Sequence, residues 1–273
     1  MKNVLITKAD GEQEPFDPVK LEHSLEHSGA SSTTRAKIAA RVLEELKPGM
    51  TTEQIYRHAY HLLRTTEPHH VAARYSVKRA LFELGPSGFP FEQFLAEVMR
   101  AHGWSARTGV ALSGRCAQHE VDVLAEKGGK RIGIEAKFHN EPGGKTDIKD
   151  ALYVHARYED LKLAHGQSHV DEGWLVTNTS FTSNAIRYSQ CANLTLMGWD
   201  YPQGRNLMQM IEEGGVHPLT CLTTLSEGEK HRLLENRVVL CKHVSAPHVL
   251  QEYGVKPARI PQVLEEARQL CGV

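Results

Sequence analysis

The chain of 273 residues has no long apolar run. No stretch approaches the roughly 20 residues that cross a bilayer as a helix, so no membrane partner is expected. The opening Met1-Lys2-Asn3-Val4-Leu5-Ile6 lacks the apolar core of a signal peptide, and a cytoplasmic location is expected. Cysteine is sparse and unpatterned. Cys116, Cys191, Cys221, Cys241 and Cys271 are odd in number and show no CxxC spacing, so they read as reduced thiols rather than as disulfide staples or a zinc site. An excess of charge is missing too: the net charge is −1 and the pI is near 7.0. Without a global basic field, a nucleic acid would have to be held by a local basic strip. The 16 histidines fall singly or as the pair His69-His70, without metal-ligand spacing. Repeats and low-complexity tracts are absent.

What is present divides into three pieces. Residues 1–88 begin with a strand from Val4 to Lys8, a turn at Asp10-Gly11 and a second short strand. Asp17-Pro18 then supplies an N-cap and a first-turn proline for a helix carrying Leu21 and Leu25. A second helix runs through Ile38, Val42 and Leu46 to the stop at Pro48-Gly49. Thr51 and Gln54 form a capping box for a third helix, and a fourth is expected from Val71 to Leu84. Gly85-Pro86-Ser87-Gly88 marks a boundary. Residues 89–202 follow with a helix through Phe91, Phe94 and Val98, strands at 121–124 and 131–138, and a helix at 148–164. A strand at 174–177, a helix at 185–191 and a strand at 194–197 complete this piece. Together they predict an α/β sandwich. Residues 203–273 are expected to be helical.

The chemistry lies in Glu120-Val-Asp-Val-Leu-Ala-Glu-Lys-Gly-Gly-Lys-Arg-Ile-Gly-Ile-Glu-Ala-Lys137. Gly128-Gly129 is a two-residue hairpin signal, because a type I′ turn needs positive φ at both central positions. Residues paired across it have numbers summing to 257, and Asp122 with Glu135 is such a pair. That register sets the two carboxylates opposite each other, with Cβ atoms about 5 Å apart, and places Lys137 one pleat beyond. Facing acids repel unless a cation lies between them. Mg²⁺ suits the pair, since it is held by one or two carboxylates plus water and phosphate oxygens. Asp122 and Glu135 are therefore the candidate metal ligands, for Mg²⁺ or Mn²⁺. With Lys137 they form a candidate site for phosphodiester hydrolysis. An exposed charged face on an ordinary hairpin is the plain alternative.

These residues resemble the PD-(D/E)XK nucleases, and most of all the Mrr-type restriction endonucleases. The matching stretches are Phe91-Glu92-Gln93-Phe94, Val121-Asp122-Val123, Glu135-Ala136-Lys137 and Leu175-Val176-Thr177-Asn178 with Phe181-Thr182. Valine stands before Asp122, where the family's nickname has proline. The resemblance implies a restriction-endonuclease-like sandwich with a mixed sheet, DNA as substrate, and Glu92 as a further catalytic acid. Glu97 and Glu120 are weaker competitors for that role. Thr177-Asn178 is either a ligand contact at a strand end or a plain strand-to-loop transition.

A second resemblance covers residues 3 to 90. Lys8-Ala-Asp-Gly11, Glu14-Pro-Phe-Asp-Pro-Val-Lys20 and Ala72-Ala-Arg-Tyr75 resemble the ATP-cone domain, which binds ATP or dATP. A triphosphate needs several converging cations, and Lys8 and Lys20 are the first candidates. Matching positions imply Glu14, Thr52, Tyr56 and Lys78 as further nucleotide contacts. Ala9 stands where the family usually has arginine, which removes one expected phosphate contact. Cone domains commonly associate, so a homo-oligomer is among the expected partners. Residues 225–254 resemble helix-hairpin-helix modules, with Lys230, Arg232, Arg237 and Lys242 as expected phosphate contacts. The combined expectation is a Mg²⁺-dependent DNA endonuclease regulated by an adenine nucleotide. The alternative is a nucleotide-responsive DNA-binding regulator with a silent nuclease fold.

Overall fold

The computed structural model describes residues 4–271, so the outermost limits of the first and last expected domains, residues 1 and 273, lie outside the described residues. Strands β1 (Leu5–Thr7) and β2 (Gln13–Pro15) pair antiparallel, with Ile6 opposite Glu14. Asp17 caps α1 (Pro18–His27) by accepting from the Val19 amide, and Pro18 sits in the first turn, where a missing amide costs nothing. After α2 (Ser32–Glu45), helix α3 (Thr52–Thr66) opens on the reciprocal Thr51–Gln54 capping box. The Thr7 amide donates to the Met50 carbonyl at 3.0 Å, which ties the hairpin to the start of α3. Ile6, Leu25, Ile38, Ile55 and Leu63 bury together as the core of this unit. Where one fourth helix is expected there are two, α4 (His69–Tyr75) and α5 (Val77–Phe82). They part at buried Ser76, whose hydroxyl donates to the Ala73 carbonyl, a local bond that competes with the helical ladder.

The central domain contains α6 (Phe89–Ala101), β3 (Ser105–Ser113), β4 (Gln118–Lys127), β5 (Lys130–Lys137), β6 (Lys145–Thr146) and α7 (Ile148–Lys162). It continues with β7 (Glu172–Thr177), β8 (Ser180–Phe181), α8 (Ser183–Ala192) and β9 (Thr195–Met197). The main sheet is mixed, in the order β3-β4-β5-β7-β9. β3, β4 and β5 form an antiparallel meander, and β5, β7 and β9 run parallel. Strand β3 is not anticipated by the sequence pattern. Gly109 breaks its alternation at φ +60, and most of its residues are exposed or half-buried, so no apolar period marks it.

Each face of the sheet buries its own core. Val123, Ile132, Ile134 and Trp174 pack toward α6, while Leu124 and Leu175 pack against Val154 and Leu161 of α7 and Ala185 of α8. On the second face the fully buried Tyr158 ring lies on Gly133 and Gly173, which are neighbours across β5 and β7. A Cβ at either glycine would collide with that ring. The two glycines therefore let α7 approach the sheet, which sets the position of the residue beside Tyr158.

Helices α9 (Leu207–Gly214), α10 (Glu227–Glu235), α11 (Pro247–Glu252) and α12 (Ile260–Cys271) form the last part, joined by short 3₁₀ turns. Their apolar residues merge with the α6 face of the sheet: Met197, Leu207, Leu222, Leu240 and Val263 belong to one core. Buried Glu266 accepts from the amides and hydroxyls of Thr223 and Thr224. The Thr220 hydroxyl donates to the Ala80 carbonyl at 2.6 Å, so this segment is also docked on α5. Of the cations expected at phosphates, Lys230 is buried against Glu83, and Arg232 donates to the Tyr253 carbonyl. The Arg237 guanidinium lies over the Phe89 ring. These three are spent on internal contacts, a correction to the phosphate-facing arrangement expected from the sequence.

Candidate active site

The Gly128-Gly129 bend sets the expected register, with Val123 opposite Ile134 and Lys127 opposite Lys130. Carried one pair further, that ladder would place Asp122 opposite Glu135, but it stops before them. The cause lies on the other edge of β4. There Thr108 faces Val123 and Val110 faces Val121, while Gly109 and Asp122 form no pair. Val121 and Leu124 bury in the same cluster although they are three residues apart, so the alternation slips at Asp122. Asp122 occupies the gap: its Oδ2 accepts a hydrogen bond from the Ala136 amide at 2.7 Å. The expected cross-strand pair is thus corrected to a carboxylate docked on the backbone next to Glu135.

Glu92 enters from the first turn of α6. Burial pushes its carboxyl up to about 7, with Asp122 and then Glu120 adding to the shift. Burial also pushes Glu135 up to about 7; the charge of Asp122 adds to this, and Arg157 and Lys137 oppose it. Asp122 is raised by burial and partly relieved by the Ala136 amide. Three acids therefore sit within electrostatic reach of one another in a half-buried setting that favours their neutral forms. Among the described residues, no three His, Cys, Asp or Glu side chains are close enough to hold a metal ion by themselves. Asp122 and Glu135 nonetheless have the donor chemistry of a Mg²⁺ or Mn²⁺ site, which needs only one or two carboxylates from the protein. The mutual repulsion is what a bound cation would relieve. Glu97 points its charge to Arg100 at 2.6 Å and stays out of this group.

Two residues of α7 complete the site, and neither is singled out by the sequence pattern. Arg157 donates to the Glu135 carboxylate and to the Glu120 carbonyl, and its guanidinium stacks on the exposed Tyr153 ring. Lys137 does not bridge Asp122 and Glu135; its Nζ lies 2.9 Å from Asp150. Asp150 and Arg157 are two helical turns apart and share a face, which is the signal that links them once α7 is known to cover β5. Asn178 is fully buried and clasps the chain leaving β5. It accepts from the His139 amide and donates to the His139 carbonyl, at 2.9 and 2.8 Å. That structural clasp accounts for both ends of the Asn178 amide.

The expected nucleotide contacts do not all converge. Lys8 and Glu14 lie in or beside the β1–β2 hairpin, where Lys8 pairs with Glu12 and Lys20 pairs with Glu14. Thr52 begins α3, next to the Thr7–Thr51 bridge. These four surround one end of the unit. Tyr56 lies further along α3, stacked between Tyr60 and Tyr75. Lys78 points elsewhere, with its ammonium over the Trp199 ring of the central domain at 5.7 Å. The short α5 carries it away from the hairpin, which corrects its expected place.

Comparison with known proteins accords with this arrangement. An ATP cone domain model matches residues 4–82, a restriction endonuclease model of Mrr catalytic type matches residues 86–210, and an AF1548-like C-terminal model matches residues 217–271. An uncharacterized protein of Archaeoglobus fulgidus is 33% identical over 180 residues, which is 65% of this chain and 100% of the relative. The crystal structure of a protein of unknown function, AF1548, shares 30% identity at a TM-score of 0.57 and covers 68% of this chain and 99% of its own. The MspJI restriction endonuclease, solved in complex with a 27-mer oligonucleotide, shares 16% identity at a TM-score of 0.36 over 70% of this chain and 39% of its own, too slight a likeness to carry an argument. No helix among the described residues is long and apolar enough to cross a membrane. The chain belongs to the AF1548-like family and fuses an ATP-cone domain to an Mrr-type restriction endonuclease domain.

Proposed function

We propose that the chain is a metal-dependent endonuclease that hydrolyses DNA phosphodiester bonds and responds to ATP or dATP bound at the cone. The observation that carries this reading is the cluster of Glu92, Asp122 and Glu135, acids forced together in an Mrr-type domain beside Lys137. Asp122 and Glu135 would hold Mg²⁺ or Mn²⁺. Such an ion, when bound, polarises a scissile phosphate and lowers the pKa of a bound water. The Lys137 ammonium, now paired with Asp150, would offset negative charge developing on the phosphate. Glu92, with its carboxyl near 7, can take a proton from the attacking water at neutral pH. The Ala136 amide keeps Asp122 oriented, and Arg157 holds Glu135 until a cation competes for it. Residues 1–88, 89–202 and 203–273 serve in this reading as cone, catalytic domain and helical cap of a cytoplasmic protein, with self-association through the cone.

A second reading is favoured by the ion pairs themselves. Glu135 is engaged by Arg157, and Lys137 by Asp150, as they would be in a silent site that only binds DNA under nucleotide control. Conversion of supercoiled plasmid to nicked and linear forms separates the two. Metal-dependent cutting by the wild type that is lost in Lys137→Ala supports the endonuclease. Equal cutting by both proteins, or none by either while DNA is still bound, removes it.

A further inference from the structure

We infer, on the catalytic role proposed above for Lys137, that the tip of the cone hairpin is a positioning contact for that lysine: Asp10 and the Ala9 backbone grip the loop that joins Lys137 to its partner Asp150. Strand β5 ends at Lys137, and the chain returns through residues 138–144 and β6 to α7. Asp147 caps α7, and Asp150 in its first turn meets the Lys137 ammonium at 2.9 Å. The ion pair therefore closes a loop made of residues 138–149, and the path of that loop sets where the two charges meet.

The cone holds this loop at two neighbouring points. The Lys145 ammonium lies 2.8 Å from Oδ2 of Asp10, whose side chain is only 15% exposed. Beside that pair the two backbones approach. Gly143 has φ +95, and a Cβ there would come within 2.4 Å of the Ala9 carbonyl oxygen and 2.9 Å of the Asp10 nitrogen. These neighbours are backbone atoms and cannot swing aside, so only glycine fits. The hairpin tip is itself fixed. The Gly11 amide donates to the Lys8 carbonyl at 3.0 Å, the Lys8 amide to the Glu12 carbonyl at 2.8 Å, and the Glu12 amide to Oδ1 of Asp10 at 3.2 Å. At the domain boundary Gly85 packs on the same loop, where a Cβ would stand 2.5 Å from Oδ1 of Asn140 and 2.7 Å from the Phe138 ring.

The loop has little freedom to absorb a movement of the tip. Asn178 clasps both backbone groups of His139. The His139 ring meets the Thr146 hydroxyl at 3.0 Å, and Gly144 lies so near that ring that a Cβ would stand 2.7 Å from Nδ1. A displacement at Gly143 or Lys145 is therefore passed through packed atoms to the ends of the loop, which are Lys137 and the first turn of α7. Lys8 pairs with Glu12 across the same turn, so whatever draws Lys8 away acts on the residues that grip the loop.

Pulse labelling of lysines with acetic anhydride on the full chain, read by peptide mass spectrometry, tests the contact. Asp150→Asn gives the rate for an unpaired Lys137. Asp10→Asn keeps an acceptor for the Glu12 amide but removes the charge. It should speed labelling of Lys145, which loses its partner, and of Lys137 by about two- to fivefold, the scale of a partly exposed ion pair. Gly143→Ala, which drives a methyl group into the Ala9 carbonyl, should bring Lys137 to the Asp150→Asn rate. The exchanged pair Asp10→Lys/Lys145→Asp should return Lys137 to within twofold of the wild type, a rescue that a merely loosened hairpin would not show. Faster labelling of Lys145 with Lys137 unchanged would overturn the proposal, as would an unchanged Lys145 or an exchanged pair that restores nothing. Plasmid cleavage is scored separately. A wild type that labels as expected but does not cut removes the endonuclease and leaves the contact standing. One that cuts while Lys137 labels alike in every hairpin and loop variant removes the contact alone.

Discussion

The acid cluster of the central domain and the cleft between α3, α5 and the C-terminal segment use similar side chains in opposite proportions. At the first, Glu92, Glu120, Asp122 and Glu135 lie within electrostatic reach of one another, and Arg157 and Lys137 are the cations that act on Glu135. At the second, Arg57, Arg64, Arg79 and Lys230 line the cleft, and Arg57, Arg79 and Lys230 share Glu53, Glu83 and Glu227. A chain whose net charge is only −1 thus separates its charge locally. Unbalanced acids raise one another's pKa and favour a cation, whereas unbalanced guanidinium groups cannot shed their protons and favour an anion. Bulk charge conceals both tendencies. It is the local deficit that indicates what each place would bind.

The sharpest way to break this comparison is to neutralise the acidic side. Asp122→Asn keeps an oxygen for the Ala136 amide but removes the charge, and it should lower metal-dependent plasmid cleavage by roughly two to three orders of magnitude. Cleavage within twofold of the wild type would end the claim that the acid cluster is catalytic. Next in size is the support beneath the site. Gly133→Ala drives a methyl group into the Tyr158 ring, and overpacking of this kind costs about 1–3 kcal/mol in urea unfolding. Because α7 carries Asp150 and Arg157, cleavage should fall in the same variant.

Arg157→Ala sharpens the comparison by removing the cation that is bonded directly to Glu135. The Arg157 and Glu135 side chains are only 12% and 19% exposed, so leaving Glu135 unpaired should cost about 1–3 kcal/mol in metal-free buffer at pH 8. Near pH 6 the deficit should shrink, because Glu135 titrates near 7 even with Arg157 present, and higher still without it. The smallest effect is expected away from the acid cluster, at the start of α3. Thr51→Ala removes one half of the α3 capping box and should cost about 1 kcal/mol with cleavage unchanged.

Much of this arrangement is legible in the sequence where the controlling interactions are local. The Gly128-Gly129 turn fixes its register through backbone conformation at two residues, and the Thr51–Gln54 box marks a helix start three residues long. Legibility fails where the deciding partner is remote. Strand β3 carries few apolar residues and is defined by its pairing with β4, not by its own pattern. The slip at Asp122 depends on Gly109, thirteen residues earlier and on a different strand. Arg157 reaches Glu135 only because Gly133 and Gly173 admit the Tyr158 ring, a three-element contact that spacing along the chain does not encode. Lys230 reads as a surface cation on a helix and is instead buried against Glu83 of the cone, since the C-terminal segment docks there.

The central claim, that the crowded acids await a divalent ion, is tested most directly by thermal unfolding with and without Mn²⁺ at two pH values. The carboxyls of Glu92 and Glu135 are raised from 4.5 to about 7 in the folded chain. The folded state therefore holds protons that the unfolded state has already released, and the associated stability is complete below about 4.5 and lost as pH rises through about 7. Mn²⁺ competes with those protons, so it should raise the Tm more at pH 8 than at pH 6, and the rise should vanish in Asp122→Asn. A shift of the same size at both pH values, or one that survives in Asp122→Asn, would contradict the account.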